Sequence, residues 1–155
     1  MPLVTVHLFH DAHWAPLMFG ITAALELVTL IVVGALAVRI GEERTITAGA
    51  LVGAGCFLLM ALVPTLPAML VANLFYSLFI AALAGVAMAY VQGLLSHRPG
   101  MGGSLYLVTS NLGALIGISA PLLIPGYSPE LFFLPSLLCL AGALFLVVDR
   151  SKSVA

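Results

Sequence analysis

The sequence predicts an all-α integral membrane protein with five transmembrane helices, and three observations carry that reading. Hydrophobic residues make up 63% of the 155 positions and charged residues only 7%, with a mean hydropathy of +1.23. Soluble domains average roughly 45–50% apolar and ~25% charged. No Asp, Glu, Lys or Arg occurs from Thr45 to His97, a run long enough for two spanning helices of ~20 residues each. Within that run Pro64-Thr65-Leu66-Pro67 interrupts helical hydrogen bonding and supplies a turn. Helices and closed barrels alone satisfy every backbone group in hydrocarbon, and these apolar runs lack the alternation of barrel strands.

The remaining elements follow from the spacing of charges and turn residues. The helices are expected at about 14–39, 45–64, 67–93, 103–124 and 129–148, forming one transmembrane domain over residues 1–155. Ser128-Pro129-Glu130 has the form of an N-cap, a first-turn proline and a first-turn acid, and so opens the last helix. Arg98-Pro99-Gly100 is a compact turn. Arg39 and Arg44 flank the first connection, Arg98 lies in the third, and Arg150 and Lys152 follow the last helix. All five basic residues therefore fall on one side, which the positive-inside rule makes cytoplasmic. The N-terminus is then outside, the C-terminus is cytoplasmic, and Trp14 and Tyr127 lie at the outer interface.

Composition excludes several function classes. Five basic and six acidic residues cannot cover a soluble enzyme of this size, and a net charge of -1 leaves no large basic patch for nucleic acid. Cys56 and Cys139 lie in apolar runs and read as small hydrophobes. His7, His10 and His13 with Asp11 have only a loose metal-ligand spacing, so no metal or cofactor is expected. No serine has an embedded histidine partner, so no catalytic residue is assigned.

Several polar residues inside the apolar runs are candidates for function. Glu26 sits midway between Trp14 and Arg39, where a charge costs ~2.5–3.5 kcal/mol on insertion scales. Such acids recur in proton relays and substrate sites; the structural alternative is a hydrogen bond between helices. Thr22 and Thr29 extend a polar stripe on either side of it. Asn73, Tyr76 and Ser77 share one face of the third helix, with Gln92 near its inner end. That stripe suits either a water-filled path for a polyhydroxyl or amide solute, or packing bonds worth ~0.6–2 kcal/mol. Asn111 is the candidate on the fourth helix. Small residues at four-residue spacing, Gly49/Gly53, Ala81/Gly85/Ala89 and Gly113/Gly117, permit close helix packing.

The segment Gly34-Ala35-Leu36-Ala37-Val38-Arg39-Ile40-Gly41-Glu42-Glu43-Arg44 resembles the G-x-L-A-D-R-x-G-R-R/K loop of the major facilitator superfamily. Val38 replaces the aspartate, and Glu42 and Glu43 replace the basic pair. Met1-Pro2-Leu3, Ala23-Ala24-Leu25-Glu26, Tyr90-Val91-Gln92-Gly93-Leu94-Leu95, Arg98-Pro99-Gly100 and the setting of Asn111 are similar to the sugar efflux branch of that superfamily. The resemblance implies a partial six-helix half, the family's eighth through twelfth helices, with Gly34, Arg39, Gly41 and Arg44 in a cytoplasmic gating loop. It further implies a truncated part of a proton-coupled sugar antiporter, multi-pass in the cell (inner or plasma) membrane. Alternating access would place Glu26, Asn73, Tyr76, Ser77, Gln92 and Asn111 along a substrate or proton pathway. Expected partners are the bilayer, a small polar solute such as a sugar, a proton, and either the missing N-terminal half or another copy of the chain. Two alternatives remain open at this point: a multidrug efflux fragment, and a non-transporting subunit that oligomerises.

Overall fold

The computed structural model describes residues 14–63, 65–119 and 129–153. Among these every regular element is helical. α1 is Trp14–Ile40, α2 is Glu42–Leu62, α3 is Leu66–Ile80 and α4 is Met88–Leu94. A π-helical segment, Ala81–Ala87, joins α3 to α4. α5 is Pro99–Ser119, a short 3-10 turn occupies Pro129–Phe132, and α6 is Phe133–Ser153. Among the described residues, four stretches are long and apolar enough to cross a membrane: Phe19–Ile40, Glu42–Leu62, Pro67–Leu94 and Glu130–Val148. α5 is less apolar because Gly100, Gly102, Gly103, Ser104, Thr109, Ser110 and Asn111 dilute it.

Each break has a local cause. Gly41 separates α1 from α2 at φ 93 and ψ 151, a conformation open in practice only to glycine. The backbone stays satisfied through it, with Gly41 N–H donating to Ala37 O and the Thr45 hydroxyl to Gly41 O, both at 2.9 Å. Glu42 and Glu43 lie in the first turn of α2 and Arg39 in the last turn of α1, where each complements the helix dipole. Pro67 occupies the first turn of α3, where its missing N–H costs nothing.

α2 is the centre of the bundle. It runs antiparallel to α6, where the Ser136 hydroxyl donates to Ala54 O at 3.0 Å, and Phe132 of the preceding 3-10 turn stacks on Phe57 at 6.5 Å. On its other side the Cys56 thiol reaches Ala72 O of α3 at 3.2 Å. Gly49 faces Ala82 and Gly53 faces the Phe79 ring so closely that neither position has room for a Cβ. Two small cores result. Val33, Ala37, Ile46, Ala81, Ala82 and Val86 form one; Cys56, Met60 and Ala72 form the other.

α5 departs from this pattern. Its first two turns rest on α4, where Gly102 and Gly103 abut Gln92, and Tyr106 donates to Leu83 O of the π segment at 2.7 Å. From Leu107 to Gly117 every residue is exposed. Gly113 and Gly117, expected at a helix contact, have nothing within 4 Å of a Cβ.

Candidate functional site

The polar residues of α1 and α3 meet in one seam. Thr22 donates to Asn73 Oδ1 at 2.7 Å, and Asn73 is only 1% exposed. One turn further along α1, Glu26 is half-buried and lies within electrostatic reach of the half-buried Tyr76 on α3. The buried Thr29 hydroxyl is 2.9 Å from Leu25 O on its own helix and 3.2 Å from Ser77 O across the seam. The Ser77 hydroxyl turns back to Leu74 O at 2.8 Å. Among the described residues no buried side-chain nitrogen or oxygen lacks a hydrogen-bond partner.

This geometry sorts the sequence candidates. Asn73 and Ser77 are buried between helices, while Glu26 and Tyr76 keep part of their surface open. Tyr76 also joins an aromatic group with Phe57 and Phe79, at ring separations of 6.3 Å each. Gln92 is half-buried on α4 against Gly102 and Gly103, well along the rod from the seam. Asn111 is exposed on α5 and does not join the others. The histidine group His7, His10 and His13 with Asp11 lies outside the described residues, as does Tyr127; the side chain of Trp14 is likewise not described.

A second polar region lies at the end of the bundle where α1 turns into α2. Arg39, Glu42, Glu43 and Arg44 are exposed around Gly41, and Gly34 lies half-buried two turns back along α1. Tyr90 of α4 donates to Glu43 Oε1 at 2.9 Å. Helix connectivity puts the Arg98 turn and the end of α6 at this same end. The Tyr90–Glu43 bond was not legible in the sequence, because the two residues lie 47 positions apart. The Tyr106–Leu83 bond was equally hidden, since its acceptor is a main-chain carbonyl.

A small-residue helical bundle with an acid in mid-span and a glycine-broken charged turn invites comparison with transporters. The family model for the Major Facilitator Superfamily matches residues 1–155. The chain belongs to the major facilitator superfamily. Within it, the chain is 32% identical over 118 residues to sugar efflux transporter B of Salmonella typhimurium, covering 75% of this chain and 30% of the relative. It is 34% identical over 100 residues to sugar efflux transporter C of Escherichia coli, covering 64% of this chain and 25% of that one. Sugar efflux transporter A of Dickeya chrysanthemi is 28% identical over 130 residues, covering 83% and 33%. The chain thus spans about a third or less of the length of these relatives. No solved structure gives a significant match. This major facilitator chain is a multi-pass membrane protein of the sugar-efflux-like kind, and its family is one of transporters rather than enzymes.

Proposed function

We propose that this chain forms part of a secondary transporter that exports a sugar or similar polar solute in exchange for protons by alternating access. Glu26 carries the reading: an acid in mid-span, half-buried, within electrostatic reach of the half-buried Tyr76. Intramembrane acids are costly and are retained mainly in pathways and relays. Glu26 and Tyr76 line the pathway, while Thr22–Asn73 and Thr29–Ser77 hold α1 against α3 beneath them. Gln92 extends the path toward the charged end of the bundle, Asn111 stands apart from it on α5, and Gly34, Arg39, Gly41 and Arg44 form the gating turn. With the basic residues cytoplasmic, the bacterial relatives suggest the inner membrane, with the N-terminus outside and the C-terminus in the cytoplasm. The wall opposite α1 and α3 is supplied by a transporter half corresponding to the uncovered length of the relatives.

Proteoliposomes containing the chain, alone and with such a half, test this with a panel of radiolabelled sugars under an imposed proton gradient. Gradient-driven flux that Glu26→Gln uncouples supports the reading. Coupled flux surviving Glu26→Gln removes Glu26 from the relay, and no flux of any sugar in either arm overturns transport. A second reading, a non-transporting subunit, is favoured by the exposure of α5 from Leu107 to Gly117. It requires copies of the chain to cross-link through α5 in native membranes.

A further inference from the structure

The continuous helix formed by α3 and α4 carries seven π-helical residues, Ala81–Ala87, between them. Such turns are rare, appear as short insertions in α-helices and concentrate at functional sites. A π turn is an α-helix with one residue too many, and it persists where a contact from outside the helix holds it. Here α5 supplies that contact, because the Tyr106 hydroxyl donates to Leu83 O inside the segment at 2.7 Å. The segment's own side chains do not choose a winding: Ala81, Ala82, Ala84, Gly85 and Ala87 are small enough for either. The two flanks are held very differently. Ala72, Asn73, Ser77, Ala81 and Ala82 are each 1% exposed or less, and Ala82 lies tight against Gly49 of α2. α4 contributes no buried residue. A change of winding therefore leaves α3 in place and turns α4.

From this asymmetry we infer that Ala81–Ala87 is a register switch: Tyr106 holds it in the π form, and rewinding it to an α-helix turns α4 and releases Glu43 from Tyr90. Absorbing the extra residue rotates everything beyond the segment by about 100° and advances it by about 1.5 Å. On a helix about 10–12 Å across, a side chain of α4 then swings through roughly 8 Å. The 2.9 Å bond from Tyr90 to Glu43 does not survive that movement. Neither does the packing of Gln92 on α5, where a Cβ at Gly102 or Gly103 would stand within 3.1 Å of it. Only residues 95–98 separate α4 from α5, so the first turns of α5 are carried along and Tyr106 leaves Leu83 O. Three separate contacts are thus made and lost together, as a two-state element requires.

The test reads the register in the full chain and needs no transport. Spin labels on Leu58 of α2 and Leu94 of α4, both exposed, report the position of α4 by pulsed electron spin resonance in lipid nanodiscs. Deleting Ala84 removes the extra residue and supplies the distance of the rewound state. The labelled chain should show one major distance and a minor population at the value of the Ala84 deletion. Tyr106→Phe should raise that population about threefold, the equivalent of one hydrogen bond between membrane helices. Tyr90→Phe, which removes an exposed bond, should raise the same population about twofold. Both together should raise it about sixfold, because separate contacts that hold one switch multiply. Circular dichroism checks that each chain stays helical. If the Ala84 deletion does not fold, the shared second distance in the two tyrosine variants decides instead. An Ala84 deletion that keeps the original distance, a Tyr106→Phe chain with no discrete second distance, or tyrosine substitutions that fail to reinforce each other would each overturn the inference.

Discussion

The Thr22–Asn73 bond offers a direct measure of how strongly α1 is held to α3. Thr22→Val keeps the side-chain shape and removes the donor, leaving Asn73 Oδ1 without it in a seam where Asn73 is 1% exposed. Hydrogen bonds between membrane helices average ~0.6 kcal/mol and reach ~1.7. The 2.7 Å separation and the burial of Asn73 place this one in the upper part of that range. Thr22 and Asn73 each make other interactions as well, so neither single substitution isolates the bond between them. A double-mutant cycle isolates the shared part, and a coupling of about 1 kcal/mol is expected, roughly fivefold in the unfolding equilibrium. The assay is reversible unfolding of the chain in mixed detergent–SDS micelles, followed by circular dichroism. A coupling below ~0.2 kcal/mol, or of opposite sign, would refute the claim that this pair clamps the seam.

Three further substitutions test the packing. Gly49→Ala places a methyl group against the Ala82 Cβ and should destabilise by ~1–3 kcal/mol as overpacking does; Ala82→Gly in the same chain should restore most of the loss in the same micelle titration. Gly41→Ala forces a Cβ into a backbone at φ 93 and ψ 151, costing ~1–3 kcal/mol, and should lower the thermal midpoint although nothing stands near the new methyl. Tyr106→Phe removes the bond to Leu83 O, worth ~0.6 kcal/mol. Spin labels on Leu112 and Leu27 should then show a broader distance distribution, with the detached α5 population up about threefold.

Much of the fold was legible because hydrocarbon is an undemanding solvent to read. The scarcity of charge placed the spans, the prolines at 64 and 67 placed a turn, and Gly49 and Gly53 were correctly expected at close contacts. Periodicity could not show that residues 81–87 would widen into π turns, because Ala81–Ala87 is small and apolar throughout and its side chains signal no register. The polar stripe of α3 was visible from spacing alone. Its division into buried Asn73 and Ser77 and partly open Tyr76 was not, since that depends on where Thr22 and Thr29 of α1 come to rest. Gly113 and Gly117 carried the same pattern as Gly49 and Gly53 yet stand open, which shows that small-residue spacing permits a contact without specifying one.

The bond between Ser136 and Ala54 spans 82 residues of sequence, and it sets an order of events during synthesis. α2 leaves the ribosome long before α6 exists, so the central helix must wait in lipid with one flank bare until α6 has been made. Chains emerge at roughly 5–20 residues per second, which makes that wait several seconds. The delay is tolerable because the waiting flank, with Ala50 and Ala54, is apolar and its backbone bonds are already closed within the helix. Closing so long a loop costs little more than closing a short one. Assembly of this bundle is thus timed by α6, and a chain stopped before α6 would insert its earlier helices yet never complete its centre.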